Sequence, residues 1–442
     1  MADIRKIVKK IIPTNVFKKI EPYGHLVESV LANIRYGFPS RKMHVIGVTG
    51  TNGKTTTTLL IHKMLTEAGY KTGVLSTVSY GVGNDLQQQT EHITTAQAGV
   101  LQRRLRDFKR AGVQWVVLES SSHSLAQYRT WGVPYEIAVM TNVTNEHLDY
   151  HGTFEHYMES KRRLFTLAAK HGRKFGVVNA EDPNAELFMK STPRSVSYGL
   201  KKGDVRANKV HLANDYSTFT AKVGEDSYDI RVNIPGDFNV SNSLAAVAVG
   251  REVGLSKEQI EQGIAALENV EGRMMTIDAG QKFKVLIDFA STPDGFEKLF
   301  NTVRPVTKGK LIAVFGSAGR RDEAKRYTQG EIAGSSADEV IVTEEDDRDA
   351  DGMQIMDEIA TGAKKSGLVM GETLFQIHNR EEAIGFALTR ATSSDDMIVF
   401  LGKGHEKTIE RADGEHPWNE VDIVRTAIEE MLDESTNHQR NS

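Results

Sequence analysis

The chain has no cysteine, which excludes disulfides, thiolate nucleophiles and cysteine-ligated zinc. It has no apolar run of the roughly 18 residues that a membrane span requires. The first nineteen residues mix isoleucines with basic side chains but contain no unbroken signal core and no cleavage pattern. Neither sign of charge dominates: 55 Lys and Arg against 59 Asp and Glu leave −4. That balance supports neither a nucleic-acid-binding face nor a polybasic membrane anchor, although it can hide a local patch. Internal repeats and low-complexity linkers are also missing. What is present is 442 residues, 39% hydrophobic and 26% charged, near the globular norm and long enough for about three domains of roughly 150 residues. A cytoplasmic enzyme is the default expectation.

From Lys42 onward, short β-branched runs alternate with helical stretches, the pattern of α/β domains with mostly parallel sheets. Residues 44–48 read as a buried strand. Gly50 to Gly53 form a turn, and 54–68 read as a helix with Leu60, Ile61, Met64 and Leu65 on its apolar face and a stop at Gly69. Further strands are expected at 113–118, 137–140 and 175–178. The stretch 194–235 alternates in short segments and predicts antiparallel strands at a sheet edge. A second α/β series begins after Gly272, with strands at 285–287, 311–315, 340–342 and 397–401. Its closing amphipathic helix carries Val421, Val424, Ile428, Met431 and Leu432 on one stripe.

The segment Gly47-Val-Thr-Gly-Thr-Asn-Gly-Lys-Thr-Thr56 carries the first chemistry. A glycine loop between strand and helix lets backbone N–H groups approach phosphates at a helix N-terminus. Lys54 can reach the β/γ-phosphates, and the Thr55 hydroxyl can ligate Mg²⁺. The strict GxxxxGK[ST] form fails, because Val48 stands where its first glycine belongs. A Gly/Thr turn with a solvated lysine is the plainer alternative, disfavoured by the flanking strand and helix. The loop implies ATP or GTP but not the reaction.

Further motifs narrow this. Leu118-Glu-Ser-Ser-Ser-His-Ser-Leu125 follows a predicted strand, with Gln127 and Arg129 beyond it. Then come Thr141-Asn-Val-Thr-Asn-Glu-His-Leu-Asp-Tyr-His-Gly152, and Tyr157, Lys161 and Phe165 on the next helix. Gly236-Asp-Phe-Asn-Val-Ser-Asn242, Gly272-Arg-Met274, Asp288-Phe-Ala-Ser-Thr-Pro-Asp294, Phe315-Gly-Ser-Ala-Gly-Arg-Arg-Asp322 and Gly402-Lys-Gly-His-Glu406 continue the series. Together with Thr-Asn-Gly-Lys-Thr, these resemble the Mur ligase family, and within it the MurE type, over roughly nine-tenths of the chain.

The resemblance implies a central P-loop ligase domain over 42–271 and a Rossmann-like α/β ligase domain over 272–433. A short helical extension (1–41, including Ile11-Ile-Pro and 27–34) would precede them and a flexible tail (434–442) would follow. It implies ATP-dependent amide formation in peptidoglycan precursor synthesis: a carboxylate attacks the γ-phosphate, and an amino group then displaces phosphate from the acyl phosphate. The added residue would be the third of the stem peptide, the acceptor a nucleotide-sugar peptide, and the enzyme a monomer without nucleic-acid partners.

Residue by residue, the match puts Gly50, Thr51, Asn52, Gly53, Lys54, Thr55, Thr56, Asn142, Asn239, Asn242, Arg273, Asp288 and Arg321 against ATP. It puts Thr55, Glu119, His147 and Lys161 at Mg²⁺, with Lys161 carbamylated by CO₂ after loss of its proton in a desolvated pocket. Lys54, Glu119, His147 and Lys161 would be catalytic. Thr94, Thr95, Ser121, Ser122, Gln127 and Arg129 match acceptor positions. Arg326, Asp346, Arg348, Gly402 and Glu406 match the pocket of the incoming amino acid, and Arg348 implies meso-diaminopimelate, whose distal carboxylate it can grip. Read without the family, Glu119 is better taken as a solvated strand-end carboxylate and His147 as a structural histidine. Asn142, Asn145, Asn239 and Asn242 are then turn or cap residues, and Lys161 a surface helix lysine.

Three departures stand out. Only about forty residues precede the phosphate loop, where the family carries a uridine-binding domain of about a hundred, too few for an independent core. The family's Asp-Tyr-Ala-His is Asp288-Phe-Ala-Ser291, and its Asp-Asn-Pro-Arg is Glu345-Asp-Asp-Arg348. A Mur-fold ligase with a non-UDP acceptor (polyglutamate, cyanophycin-like or lipid-linked), and a non-catalytic nucleotide-binding module, are therefore the competing readings.

Overall fold

The structure, a computed structural model, describes residues 14–89, 93–213 and 215–440. The expected feature at Ile11-Ile-Pro lies outside them. Eleven strands form the first sheet: β1 (His44–Thr49), β2 (Thr72–Leu75), β3 (Ser79–Val82), β4 (Asp85–Gln88), β5 (Trp115–Glu119), β6 (Tyr135–Met140), β7 (Phe175–Asn179), β8 (Arg194–Gly199), β9 (Val205–Leu212), β10 (Ser217–Val223) and β11 (Asp226–Val232). Their spatial order is β11-β10-β9-β8-β7-β6-β1-β5-β2-β3-β4. β1 lies between β5 and β6, parallel to both, with Val48 opposite Glu119 and Thr49 opposite Met140. The carboxyl ends of three central strands therefore open onto one place, where parallel α/β sheets bind ligands.

Helices cover both faces, which is why the central strands are apolar throughout instead of alternating. On one face lie the helices Lys54–Glu67 and Asp237–Val253, packing Leu60, Met64, Leu244 and Val247 against β-strand side chains. On the other, Ala98–Arg110 and Phe154–Ala168 contribute Leu101, Leu105, Leu164 and Phe165. The helix Thr14–Tyr36 packs outside this second layer against Ala98–Arg110. The 194–199 stretch runs parallel to β7, so the antiparallel ribbon starts at β9, later than its alternation predicts. The short helix Ala185–Met189 supplies the crossover that makes β8 parallel.

The second sheet orders β12 (Met275–Ile277), β13 (Lys284–Asp288), β14 (Leu311–Phe315), β15 (Glu339–Val342), β16 (Leu374–Gln376) and β17 (Met397–Leu401) as β12-β13-β17-β14-β15-β16. All its pairings are parallel except β12–β13. A hairpin, β18 (Thr408–Arg411) and β19 (Gly414–Pro417), follows it. The last helix, Glu420–Arg440, continues past Asp433, where a tail was expected to begin. Where the two α/β units meet, Glu271 accepts hydrogen bonds from Gln88 at 2.9 Å and from Lys407 at 2.8 Å. The next residue, Gly272, has φ +64°, and a Cβ there would sit 2.3 Å from the His405 backbone nitrogen. Only glycine allows the chain to cross at that point. Among the described residues, no helix is long and apolar enough to cross a membrane.

Candidate active site

A cavity of about 570 Å³ opens between the two sheets, with the loop after β1 on one wall and the ends of β13, β14 and β15 on the other. The loop is shaped from outside. Asn142 holds both sides of Asn52, accepting from its backbone N–H at 2.9 Å and donating to its carbonyl at 3.1 Å. Thr51 is fixed by its N–H to the Asn142 carbonyl at 2.8 Å and by its hydroxyl to the Tyr157 hydroxyl at 2.9 Å. Gly53 has φ +81°, and a Cβ would meet the Asn242 amide oxygen at 2.5 Å, so the loop's close packing depends on that glycine. Asn242 in turn accepts from Thr57 at 3.2 Å and donates to Asn239 at 3.0 Å, so these two asparagines brace the loop from the helix Asp237–Val253.

Glu119, at the end of β5, is 1% exposed, and both its oxygens stand 3.1 Å from the Thr55 hydroxyl. The Thr77 N–H also donates to it, at 2.8 Å. A carboxylate buried among neutral donors beside a hydroxyl is a hard-oxygen set suited to Mg²⁺. His147 stands in a left-handed conformation (φ +57°) at the head of the short helix Leu148–His151, 3.6 Å from Glu146. Burial holds its imidazole below the usual histidine range, and Lys161 and Lys54 add to this against the opposing pull of Glu146. The neutral ring that results keeps a lone pair for a metal. Burial pushes the Glu146 carboxyl up, while the neighbouring His147, Lys54 and Lys161 draw it below the usual carboxylate range.

Lys161 is 1% exposed, on the helix Phe154–Ala168. Its Nζ donates to the Gly50 carbonyl at 2.5 Å and lies 4.4 Å from the centre of the Tyr157 ring. Burial, with Lys54 nearby, holds its ammonium well below the ordinary lysine value. Lys54 itself donates to the Thr51 carbonyl at 2.7 Å. Gly50 and Lys161 therefore lie behind the cavity wall, whereas Thr51 to Thr56, Glu119, Asn142, Asn145 and His147 line it.

The second wall carries Arg273, Asp288, Ser291 and Arg321. The Arg273 guanidinium lies over the Phe289 ring, 4.3 Å from its centre, and burial lowers its proton affinity against the charges of Asp288, Glu119 and Glu406. Burial raises the Asp288 carboxyl, although the N–H groups of Met274 and Ala290 bind it at 2.8 and 2.7 Å. Asp346, Arg348 and Glu406 also reach the cavity, each already paired. Asp346 accepts from Lys403 at 2.8 Å, and Glu406 accepts from the same Lys403 at 2.6 Å. Arg348 binds Glu410 and, at 2.5 Å, the Gly319 carbonyl.

Other expected residues are placed differently. Thr94 lines the cavity, while Thr95, Ser121, Ser122, Gln127 and Arg129 stand behind its Glu119 edge, knitted together. Thr95 donates to the Glu119 carbonyl at 2.9 Å, Arg129 donates to the Thr95 carbonyl at 2.6 Å, and Ser122 lies 3.1 Å from His151. Ser121 caps the helix Ser122–Ala126. Gly402 has φ +100°, and a Cβ there would meet the Glu345 carboxylate at 2.5 Å; its N–H donates to the Asp288 carbonyl at 3.2 Å. Arg326 does not line the cavity: it is 3% exposed and bound to Glu358 at 2.9 Å. Its Nε and Nη2 are buried without a hydrogen-bond partner among the described residues. Glu146, Lys403 and Glu410 were not singled out from the sequence. The first two lie inside quoted motifs, and the third sits in a hairpin whose turn signal is Asp413-Gly414.

A Mur ligase middle-domain model matches residues 48–250, and a Mur ligase glutamate-ligase-domain model matches 272–404. A UDP-N-acetylmuramyl-tripeptide synthetase of Roseiflexus sp. is 42% identical over 424 residues, 93% of this chain and 83% of that protein. A UDP-N-acetylmuramoyl-L-alanyl-D-glutamate–2,6-diaminopimelate ligase of Clostridium acetobutylicum is 35% identical over 431 residues, 97% and 86% of the two chains. A solved structure of a ligase of the latter name, 32% identical, superposes with a TM-score of 0.61 over 88% of this chain and 79% of that one. A Mycobacterium tuberculosis folylpolyglutamate synthase, 17% identical, shares the fold at a TM-score of 0.70 over 85% and 92%. With the phosphate loop, the Glu119 pair and the second ligase domain facing one cavity, the chain belongs to the Mur ligase family and is an ATP-dependent amide ligase.

Proposed function

We propose that the chain adds the third residue of the peptidoglycan stem peptide, meso-diaminopimelate, to a UDP-MurNAc-L-Ala-D-Glu-type acceptor. The observation that carries this reading is the single cavity with the phosphate loop on one wall and Arg348, Asp346 and Glu406 on the other. The acceptor carboxylate oxygen attacks the γ-phosphorus and ADP leaves. The amino group then attacks the acyl carbon, gives up a proton, and phosphate departs from the tetrahedral intermediate. Both reactants of the first step are anionic, so the chain's work is positioning and charge neutralisation. Lys54 supplies a positive charge at the phosphates, and Asn239, Asn242, Arg273, Asp288 and Arg321 position the nucleotide. Thr55, Glu119 and His147 hold Mg²⁺, which when bound screens the phosphate charge.

Lys161 is the fourth metal-site residue. Its depressed proton affinity leaves a neutral amine that adds to CO₂, forming an N–C bond and losing a proton, so that a cation becomes an oxygen donor. Thr94 contacts the acceptor directly, while Thr95, Ser121, Ser122, Gln127 and Arg129 form the surface behind it. On the amino-acid side, Arg348 grips the distal carboxylate and Glu406 the distal ammonium. Arg326, off the cavity and paired with Glu358 and, at 3.8 Å, with Glu323, makes no second carboxylate contact with the amino acid in this arrangement.

One observation favours a second reading of specificity. Glu410 already occupies Arg348, and a carboxylate in that position can instead take the distal ammonium of a basic amino acid such as lysine. Mass spectrometry of products from diaminopimelate and lysine, each offered with the acceptor with and without its UDP, separates these readings. Better use of lysine ends the diaminopimelate assignment. Full activity on the UDP-free acceptor ends the nucleotide-sugar assignment.

A further inference from the structure

The helix Thr14–Tyr36 turns an apolar stripe outward. Tyr23, Val27, Leu31 and Ile34 are 64, 59, 55 and 62% exposed, on spacings of four, four and three residues that keep them on one helical face. The stripe is about 17 Å long at 1.5 Å per residue. Stripes of this kind on a surface helix mark a contact with another phase or partner.

The charge around it identifies the kind of partner. The acids of this helix lie on its protein-facing side: Glu21 and Glu28 stand 4.0 and 3.8 Å from His25, which is 2% exposed. Basic and aromatic residues gather at its C-terminal end. Arg35 and Arg106 lie 5.8 and 5.0 Å from the centre of the Tyr36 ring, and Arg41 lies 4.1 Å from that of Phe38. Lys42 is exposed beside them. The neighbouring helix Ala98–Arg110 exposes Arg103, Lys109 and Arg110 against the single acid Asp107, which pairs with Arg106. Before Met43 the sequence holds nine basic and three acidic residues, in a chain whose net charge is −4. Further upstream, Ile4, Ile7, Val8, Ile11 and Ile12 recur at helical spacing between Arg5, Lys6, Lys9 and Lys10.

We infer that this face rests on an anionic lipid surface, with the stripe at the headgroup boundary and the basic residues against lipid phosphates. An apolar stripe rimmed by cations on a chain otherwise of negative sign is the composition of an interfacial helix. A second copy of the chain is disfavoured as occupant, because a two-fold contact would bring the two cationic rims together. The assignment does not depend on which amino acid the ligase adds.

Flotation of the full chain with vesicles of equal parts phosphatidylglycerol and phosphatidylcholine tests it, beside pure phosphatidylcholine. Binding is expected only to the anionic vesicles and falls as salt rises. V27S/L31S/I34S and R35E/R41E/K42E should each weaken it on the order of tenfold or more, with unchanged melting temperature. Hydrogen exchange of the wild-type chain should slow over 14–36 when those vesicles are added, a readout that needs no variant. Absence of binding at low salt overturns the inference. So does equal binding by V27S/L31S/I34S, or a wild-type dimer in solution that V27S/L31S/I34S dissolves.

Discussion

The two walls of the cavity handle charge in opposite ways. At the phosphate wall the lysines have no carboxylate hydrogen-bonded to them among the described residues: Lys54 in the wall and Lys161 behind it both donate to loop carbonyls, at 2.7 and 2.5 Å. On the amino-acid wall Asp346, Glu406 and Arg348 are each paired before any ligand arrives. Lys403 is shared by Asp346 and Glu406, Arg348 is held by Glu410, and behind them Arg380 binds Glu420 at 2.6 Å with both side chains fully buried. An anionic ligand therefore gains charge neutralisation on the first wall, whereas on the second a zwitterion must exchange ion-pair partners. Buried pairs of that sort contribute more to selecting a geometry than to stability. The first wall is built for affinity to phosphate and the second for discrimination.

The comparison breaks most visibly at Lys54. Lys54→Ala should lower product formation on the order of 10³-fold, read as ADP release dependent on both acceptor and amino acid; near-normal turnover would remove the phosphate wall from the mechanism. Lys161→Ala should cost about 10²-fold and recover in part with a small added carboxylate. Intact-protein mass spectrometry of the wild type under bicarbonate should show the mass gain of one CO₂, lost in the variant. Its absence under every condition would leave Lys161 as a loop brace.

On the other wall, Arg348→Ala should weaken use of diaminopimelate by roughly tenfold to a hundredfold, the worth of a charge-assisted hydrogen bond. Glu410→Gln should leave diaminopimelate use intact or improve it, by freeing the guanidinium. Should Glu410→Gln abolish lysine use instead, the carboxylate is the reader and the arginine its support.

The smallest effect concerns stability. Burial lowers His123 to about 2 and His151 to about 3, and His62 to about 4. These folded-state values lie below the unfolded one near 6.5, so the unfolded chain takes up protons first as pH falls. The stability these neutral rings contribute is full above about 6.5 and is lost progressively toward pH 3. Melting temperature should therefore drop through that window, by a few degrees less in His151→Gln than in the wild type. Equal acid sensitivity of the two proteins would assign the loss to other groups.

The parts legible in sequence are those whose chemistry is local. The strands at 311–315 and 397–401 match β14 and β17 because each is a short apolar run buried on both faces. The phosphate loop was legible because a lysine and threonine after a glycine turn need only their own backbone. The hairpin of β3 and β4 was not, since Asp85–Gln88 is exposed throughout and polar apart from Leu86, and carries no period. Nor was the Glu410 pair to Arg348, 62 residues apart, because nothing near either residue encodes the meeting. Asp346 reads alone as a negative charge beside the amino-acid pocket. Lys403, fully buried, pairs with that charge while shared with Glu406, and only the fold brings the three together.

Glu271 gives the two α/β units a shared hand-hold. With Gln88 gripping it from the first sheet and Lys407 from beyond the second, the carboxylate works as a pivot pin seated one residue before the glycine crossing. A swing of one unit against the other would have to break these two contacts or carry both side chains with it. Asn52, which donates to Asp294 at 2.5 Å, ties the facing walls a second time at the phosphate loop, so the two units are clasped both at the crossing and inside the cavity.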